Sequence, residues 1–94
     1  MIFVTAEEYE IISSILKQAE VPFYAFGSRV TGKHRQFSDL DLCYQASIPS
    51  KVLNKIVADL EDSDLPFTVD LVDFNHCSEE FQRVISANMV EMML

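Results

Sequence analysis

The chain has 94 residues, of which 49% are apolar, and its net charge at pH 7 is -8. This composition excludes a disordered tail, and this length suffices for one small hydrophobic core, so we expect a single domain over residues 1–94. The excess of acids would repel nucleic acid phosphates, which argues against generic DNA or RNA binding. No stretch approaches the roughly 20 apolar residues of a membrane span, so no membrane partner is expected. Cys43 and Cys77 lack a metal-ligand spacing, which favours a reducing, cytoplasmic location.

Helical and strand patterns alternate along the first part of the chain. Thr5 and Glu8 form a capping box, and the apolar residues that follow recur at helical spacing, which predicts a helix over about residues 6–20. Residues 23–26 are a short apolar run before a glycine, which indicates a buried strand. Residues 28–31 are expected to form one or two helical turns.

The alternation continues to the end of the chain. Period-two alternation predicts a strand over residues 39–44, followed by a helix over about residues 49–60 and a third strand over residues 67–72. Ser78 is typical of an N-cap and is expected to open a last helix with the apolar residues Phe81, Val84 and Ile85. The Met-rich end, residues 89–94, either packs on its own sheet or meets another protein.

A glycine-serine pair and a pair of acids are the most informative motif of the chain. Gly27 and Ser28 are followed, after ten residues, by Asp39 and Asp41. Glycine permits close backbone approach to a phosphate, and a serine at a helix start offers a hydroxyl and an amide, although a plain turn with a serine N-cap has the same pattern. Asp39 and Asp41 share one strand face and can converge on divalent cations, which need hard oxygen ligands. The motif predicts phosphoryl chemistry.

Three of the seven basic residues fall inside this motif. Arg29, Lys33 and Arg35 are predicted to bind a triphosphate, although basic residues in an exposed loop are often simply solvated. Ser38 is a further candidate for a phosphate ligand, and the alternative is that it caps the turn before the second strand.

On these residues the chain resembles the minimal nucleotidyltransferase family of the DNA polymerase beta-like superfamily. Asp70, between Val69 and Leu71, matches the third strand acid of that family, and the element order fits over essentially the whole chain. Asp73 competes for this role, but Asp70 is favoured because it lies inside the strand. The resemblance implies a nucleotidyltransferase fold of the α/β (α+β) class, in which a small three-stranded mixed sheet is flanked by about four helices in the order αβαβαβα.

The resemblance also implies an activity and its participants. The expected reaction transfers a nucleoside monophosphate, AMP from ATP, to a hydroxyl and releases pyrophosphate. Asp39, Asp41 and Asp70 would hold two Mg²⁺ ions, and Asp70 would also position or deprotonate the attacking hydroxyl. Gly27 and Ser28 would hold the phosphates of the nucleotide.

Family members commonly pair with an all-helical HEPN protein in toxin-antitoxin systems. The resemblance therefore implies an antitoxin that adenylylates a tyrosine of a HEPN ribonuclease and assembles as a homo-oligomer or hetero-oligomer. Two alternatives stay open at this point. In the first, the chain is a non-catalytic binding module that neutralises a partner by occlusion. In the second, it is a transferase that acts on a small-molecule or RNA acceptor.

Overall fold

The computed structural model describes all residues from 1 to 94. Its strands form one four-stranded sheet, ordered β3-β2-β1-β4. The elements are α1 Ala6–Leu16, β1 Tyr24–Phe26, α2 Ser28–Thr31, β2 Leu40–Tyr44, α3 Ser50–Glu61, β3 Val69–Asp73, α4 Glu79–Asn88 and β4 Val90–Glu91, with 3-10 turns at Lys17–Ala19 and Phe74–His76.

The sheet is mixed, as predicted. Strand β2 pairs antiparallel with β1 and parallel with β3, so it lies in the interior of the sheet with the carboxylate-bearing β3 at one edge. The alternation of helices and strands and the α+β class are confirmed. Strand β3 begins two residues later than the apolar run that predicted it and reaches Asp73.

A fourth strand is the main departure from the predicted architecture. Residues Val90–Glu91 pair antiparallel with β1, and Met92 beside them is buried. A strand of two residues is too short to show a recognisable alternation, so no strand was predicted for this segment. Of the two alternatives for the Met-rich end, the structure supports packing on its own sheet.

The first helix shows how local sequence sets the element boundaries. The Thr5 hydroxyl accepts a hydrogen bond from the Glu8 amide at 3.0 Å, and the Glu8 carboxylate accepts one from the Thr5 amide at 2.8 Å. The helix is shorter than predicted, because its last turn tightens to a 3-10 turn that ends at Glu20 in the left-handed conformation, with φ 55°.

The two faces of the sheet are covered unequally. Helices α1 and α3 cover one face, where Leu40 and Leu42 pack with Ile12 and Ile56 in the larger core cluster. The other face is covered by α4, through a smaller cluster of Phe26, Cys43 and Ile85. This thinner cover leaves the beginnings of β2 and β3 accessible on the α4 side. None of the helices combines the length and apolarity needed to cross a membrane.

Candidate active site

Two carboxylates are brought together by the pairing of β2 with β3. Asp41 and Asp70 are partners in the parallel register, so their backbones are neighbours at about 4.8 Å. Leu40 and Leu42, on either side of Asp41, are completely buried under α1 and α3. Because side chains alternate along a strand, Asp41 must point to the opposite, α4-covered side of the sheet. Asp39 immediately precedes β2 and is exposed.

The structure separates the two rivals for the third acid. Asp73 is in register with Tyr44, whose ring belongs to the core on the far side of the sheet from Asp41. The Asp73 carboxylate accepts a hydrogen bond from the Asn75 amide at 3.1 Å and contacts Nδ1 of His76 at 2.6 Å. Asp73 therefore caps the following 3-10 turn, and Asp70 is the acid that lies beside Asp41.

Gly27 lies against the Asp41 side of the acid pair. Its backbone has φ 83° and ψ -156°, a region that essentially only glycine occupies. A Cβ at this position would lie 2.5 Å from Oδ2 of Asp41, well inside contact distance. The glycine is thus needed both for the bend that starts α2 and for the room that the Asp41 carboxylate takes.

The acids repel one another in the absence of a cation. Burial raises the pKa of Asp41 above its ordinary value, and the charges of Asp70 and then Asp39 raise it further. Desolvation likewise raises the pKa of Asp70, with added contributions from the charge of Asp39 and from a hydrogen bond with it. The fold therefore holds carboxylates near one another at a cost that a bound cation would relieve.

The donor set fits Mg²⁺ bound together with a nucleotide. No group of three His, Cys, Asp or Glu side chains is arranged so that it could by itself hold a metal ion. Mg²⁺, however, is usually bound through one or two carboxylates, with waters and substrate phosphates completing its shell. Asp41 and Asp70 provide such a pair, and Asp39 is near enough to act electrostatically on both.

Arg29 occupies a different position from the one expected of a phosphate ligand. The residue is only 4% exposed, and its guanidinium lies 4.1 Å from the centre of the Phe67 ring. Its nitrogens donate to the backbone carbonyls of Phe3 at 2.8 Å, Gln36 at 3.0 Å and Ser38 at 2.8 Å. The sequence analysis placed Arg29 among the nucleotide-binding residues. In the structure, Arg29 instead binds the loop before Asp39 to the N-terminal segment through these carbonyls.

The other predicted phosphate ligands lie around this loop. The Ser38 hydroxyl accepts a hydrogen bond from the Arg35 amide at 2.8 Å, which is the turn-capping alternative considered above. Lys33 and Arg35 are exposed, and Ser28 is the first residue of α2, directly after the Gly27 bend. Ser28 thus directly follows the glycine that adjoins Asp41.

A cavity of about 500 Å³ adjoins the acids on the α4 side. Asp41, Asp70 and Gly27 are among the residues that line it, together with Phe81 and Val84 of α4. Both were predicted only as apolar residues of the last helix, because the apolar stripe of a helix does not reveal which members stay uncovered. Phe81 is 41% exposed and Val84 is 61% exposed.

The chain belongs to the polymerase beta nucleotidyltransferase family, which matches residues 10–92. It is thus a nucleotidyltransferase, and the family resemblance seen in the Gly-Ser and Asp-x-Asp residues is confirmed.

Two further comparisons show similar proteins. It is similar to the probable protein adenylyltransferase MntA of Haemophilus influenzae, with 41% identity across 87% of this chain and 75% of that protein. The crystal structure of a toxin-antitoxin with AMP-PNP shares its fold, with a TM-score of 0.70 over 90% of this chain and 72% of that chain, at 22% identity.

Replacing Asp41 should stabilise the protein in the absence of divalent cations. Because the folded-state pKa of Asp41 is raised, its ionisation opposes folding as pH rises through that pKa. Asp41→Asn should therefore melt a few degrees above the wild type at neutral pH in EDTA, and the difference should shrink as the pH is lowered. Asp64→Asn, which removes the same charge from an exposed turn, is the matched control. An Asp41→Asn protein that melts below the wild type would contradict the account.

Gly27→Ala should be far more damaging than Gly32→Ala. Both glycines have positive φ, 83° and 84°, so both substitutions strain the backbone. At Gly32 the nearest atom to a new Cβ is Cε2 of Phe3 at 3.5 Å, an ordinary contact, whereas at Gly27 it is the Asp41 carboxylate. We expect Gly27→Ala to abolish Mg²⁺-dependent binding of ATP, measured by calorimetry, and Gly32→Ala to retain it. Equal losses in the two variants would mean that displacement of Asp41 is unimportant.

Arg29→Met should destabilise the fold by about 3 kcal/mol or more, because three carbonyl acceptors lose their donor at about 1 kcal/mol or more each. Arg29→Lys keeps the charge but cannot reach all three carbonyls, so its free energy of unfolding should lie between those of the wild type and Arg29→Met. Urea unfolding gives the free energies. An Arg29→Met protein within about 1 kcal/mol of the wild type would show that the guanidinium does not hold the loop.

Proposed function

We propose that this protein transfers AMP from ATP to a hydroxyl of a partner toxin and thereby acts as an antitoxin. The observation that carries the proposal is the register of Asp41 with Asp70 beside the Gly27 bend. The arrangement offers a carboxylate pair for cations and a glycine bend for phosphates in one place. The similarity to a probable protein adenylyltransferase supports AMP as the transferred group and a protein as the acceptor.

The proposed chemistry is a single in-line displacement. The acceptor hydroxyl oxygen attacks the α-phosphorus of ATP, a new phosphorus-oxygen bond forms, the bond to the bridging oxygen breaks, and pyrophosphate leaves. The hydroxyl proton passes to the Asp70 carboxylate, which lies beside Asp41 in the register of β2 with β3. Asp70 lies at the edge strand and is exposed, so an acceptor from another molecule can reach it.

Asp39 and Asp41 are proposed to hold Mg²⁺, with Asp70 contributing to the same site. When bound, Mg²⁺ neutralises charge on the phosphates and stabilises both the entering and the leaving oxygens. Gly27 leaves the space that the Asp41 carboxylate needs in this site. Ser28, at the start of α2, is placed to donate its hydroxyl to the phosphates. Lys33 and Arg35, which are exposed, stay proposed as counter-charges for the triphosphate, and Ser38 is proposed to act indirectly, through the turn that it caps.

The proposed partner is an all-helical HEPN toxin, and the proposed acceptor is one of its tyrosines. The likeness to the fold of a toxin-antitoxin structure supports a toxin partner. The net charge of -8 would complement the basic surface that a ribonuclease needs for its RNA. We also propose that residues 1–94 act as one domain in the cytoplasm, where the free thiols of Cys43 and Cys77 would stay reduced.

The proposed transfer predicts which phosphate of ATP labels the toxin. The chain, a purified HEPN toxin, Mg²⁺ and ATP are incubated together, and the toxin is analysed for label. Label on the α-phosphate of ATP should appear on the toxin, and label on the γ-phosphate should not. The Asp39→Asn, Asp41→Asn double variant should reduce transfer by at least about 1,000-fold, because it removes the cation ligands. Asp64→Asn should transfer normally.

The same variants separate catalysis from occlusion. Under the proposal, the double variant fails to protect cells from the toxin although it still folds and binds it. Full protection by the double variant, with no label on the toxin, would instead identify a binding module that acts by covering its partner.

A further inference from the structure

The cavity between α4 and the carboxylates has the features of a nucleoside subsite. Its volume, about 500 Å³, is within the range of ligand pockets, roughly 300 to 1,000 Å³. One end is polar, where Gly27, Asp41 and Asp70 form the proposed phosphate and cation site. Phe81 and Val84 add apolar side chains from α4 to the same lining. A ligand whose phosphates are bound through Mg²⁺ at the carboxylates would therefore need a flat or apolar part to fill the rest of the cavity.

The α4 wall is apolar and uncovered in a way that a core would not be. Phe81 and Val84 lie three residues apart and share one helix face, and Asn88 follows one turn later on the same face. The Phe81 ring is supported edge-on by Phe26, with the ring centres 6.0 Å apart, yet it stays 41% exposed. A ring that is held in place by a buried neighbour and open on another side is suited to stack on a planar ligand.

Gly27 and Asp41 indicate on which side of the acids the nucleoside would lie. A second cavity of about 580 Å³ lies along the outer edge of β3, near Phe37 and the end of α3. Asp70 is the one residue that lines both cavities. Gly27 and Asp41 line only the α4-side cavity, so a nucleotide whose phosphates lie at the Gly27 bend has its remaining part on the α4 side.

We infer that the α4-side cavity binds the nucleoside of the substrate, with Phe81 stacking on the base and Val84 contacting its edge. This inference rests on the proposed function and adds to it the residues that recognise the nucleoside. Asn88, on the same face of α4, is the only lining residue with a side-chain amide. That amide can both donate hydrogen bonds to and accept them from the polar edge of a base.

Two ligands separate the base from the phosphates experimentally. α,β-Methylene-ATP carries the nucleoside and cannot undergo the transfer, and inorganic tripolyphosphate carries the phosphates alone. Calorimetric titrations of the intact chain in Mg²⁺ should show that Phe81→Ala weakens binding of α,β-methylene-ATP by about 10-fold or more, the usual worth of a base stacked on an aromatic ring. Binding of tripolyphosphate should change by less than about twofold, which also shows that the variant is folded.

Phe37→Ala is the matched control, because Phe37 is an exposed phenylalanine, at 65%, that lines the other cavity. It should leave the affinity for both ligands unchanged. Val84→Ser changes the same wall but keeps the ring contact of Phe81 with Phe26. It should weaken binding of only the methylene analogue, by a few fold. Equal weakening of both ligands by Phe81→Ala, no weakening of either, or a loss in Phe37→Ala would overturn the inference. A wild-type protein that binds neither ligand would overturn the proposed function itself.

Discussion

The placement of the carboxylates depends on the burial of the two leucines that flank Asp41. Leu40 and Leu42 are fully buried against α1 and α3. A slip of one residue in the pairing of β2 would turn both leucines toward the thinner α4 side and Asp41 into the core. That error costs several kcal/mol in lost burial alone, at about 1.5–3 kcal/mol for each large apolar side chain. Core packing therefore fixes the register that sets Asp41 beside Asp70, and the site follows from the same pattern that folds the sheet.

The same arrangement has an electrostatic cost that the rest of the structure offsets. Asp41 and Asp70 have raised pKa values because burial and neighbouring charge oppose their ionisation. Neighbouring residues fit around them: Gly27 lacks the Cβ that would clash with the Asp41 carboxylate, and the buried Arg29 holds the loop that leads into Asp39. A site that is costly when empty is favourable for a function that begins with cation and nucleotide binding, since the cost is relieved in the loaded state.

The sequence predicted most of the fold because its signals are local. Caps, period-two alternation and glycine punctuation located four helices and three strands, and the spacing of Gly27 to Asp41 located the motif. What it did not predict depends on distant parts of the chain. The inward turn of Arg29 follows from carbonyls of the N-terminal segment and the loop before β2. The fourth strand needs the edge of β1 as a template. The exposure of Phe81 could not be predicted, because helical periodicity records an apolar face but not what covers it.

The most direct test of this account is to locate a bound cation by paramagnetic broadening. Mn²⁺ can take the place of Mg²⁺ at oxygen ligands, and it broadens the nuclear magnetic resonance signals of nearby residues. In the presence of α,β-methylene-ATP, substoichiometric Mn²⁺ should first broaden the amide signals of Gly27, Asp41 and Asp70. The rival acidic cluster lies at the exposed end of α3 and in the turn that follows it, where Glu61, Asp62 and Asp64 are found. Broadening centred on that turn, or spread evenly over the acidic surface, would contradict the claim that the paired strands gather the cation.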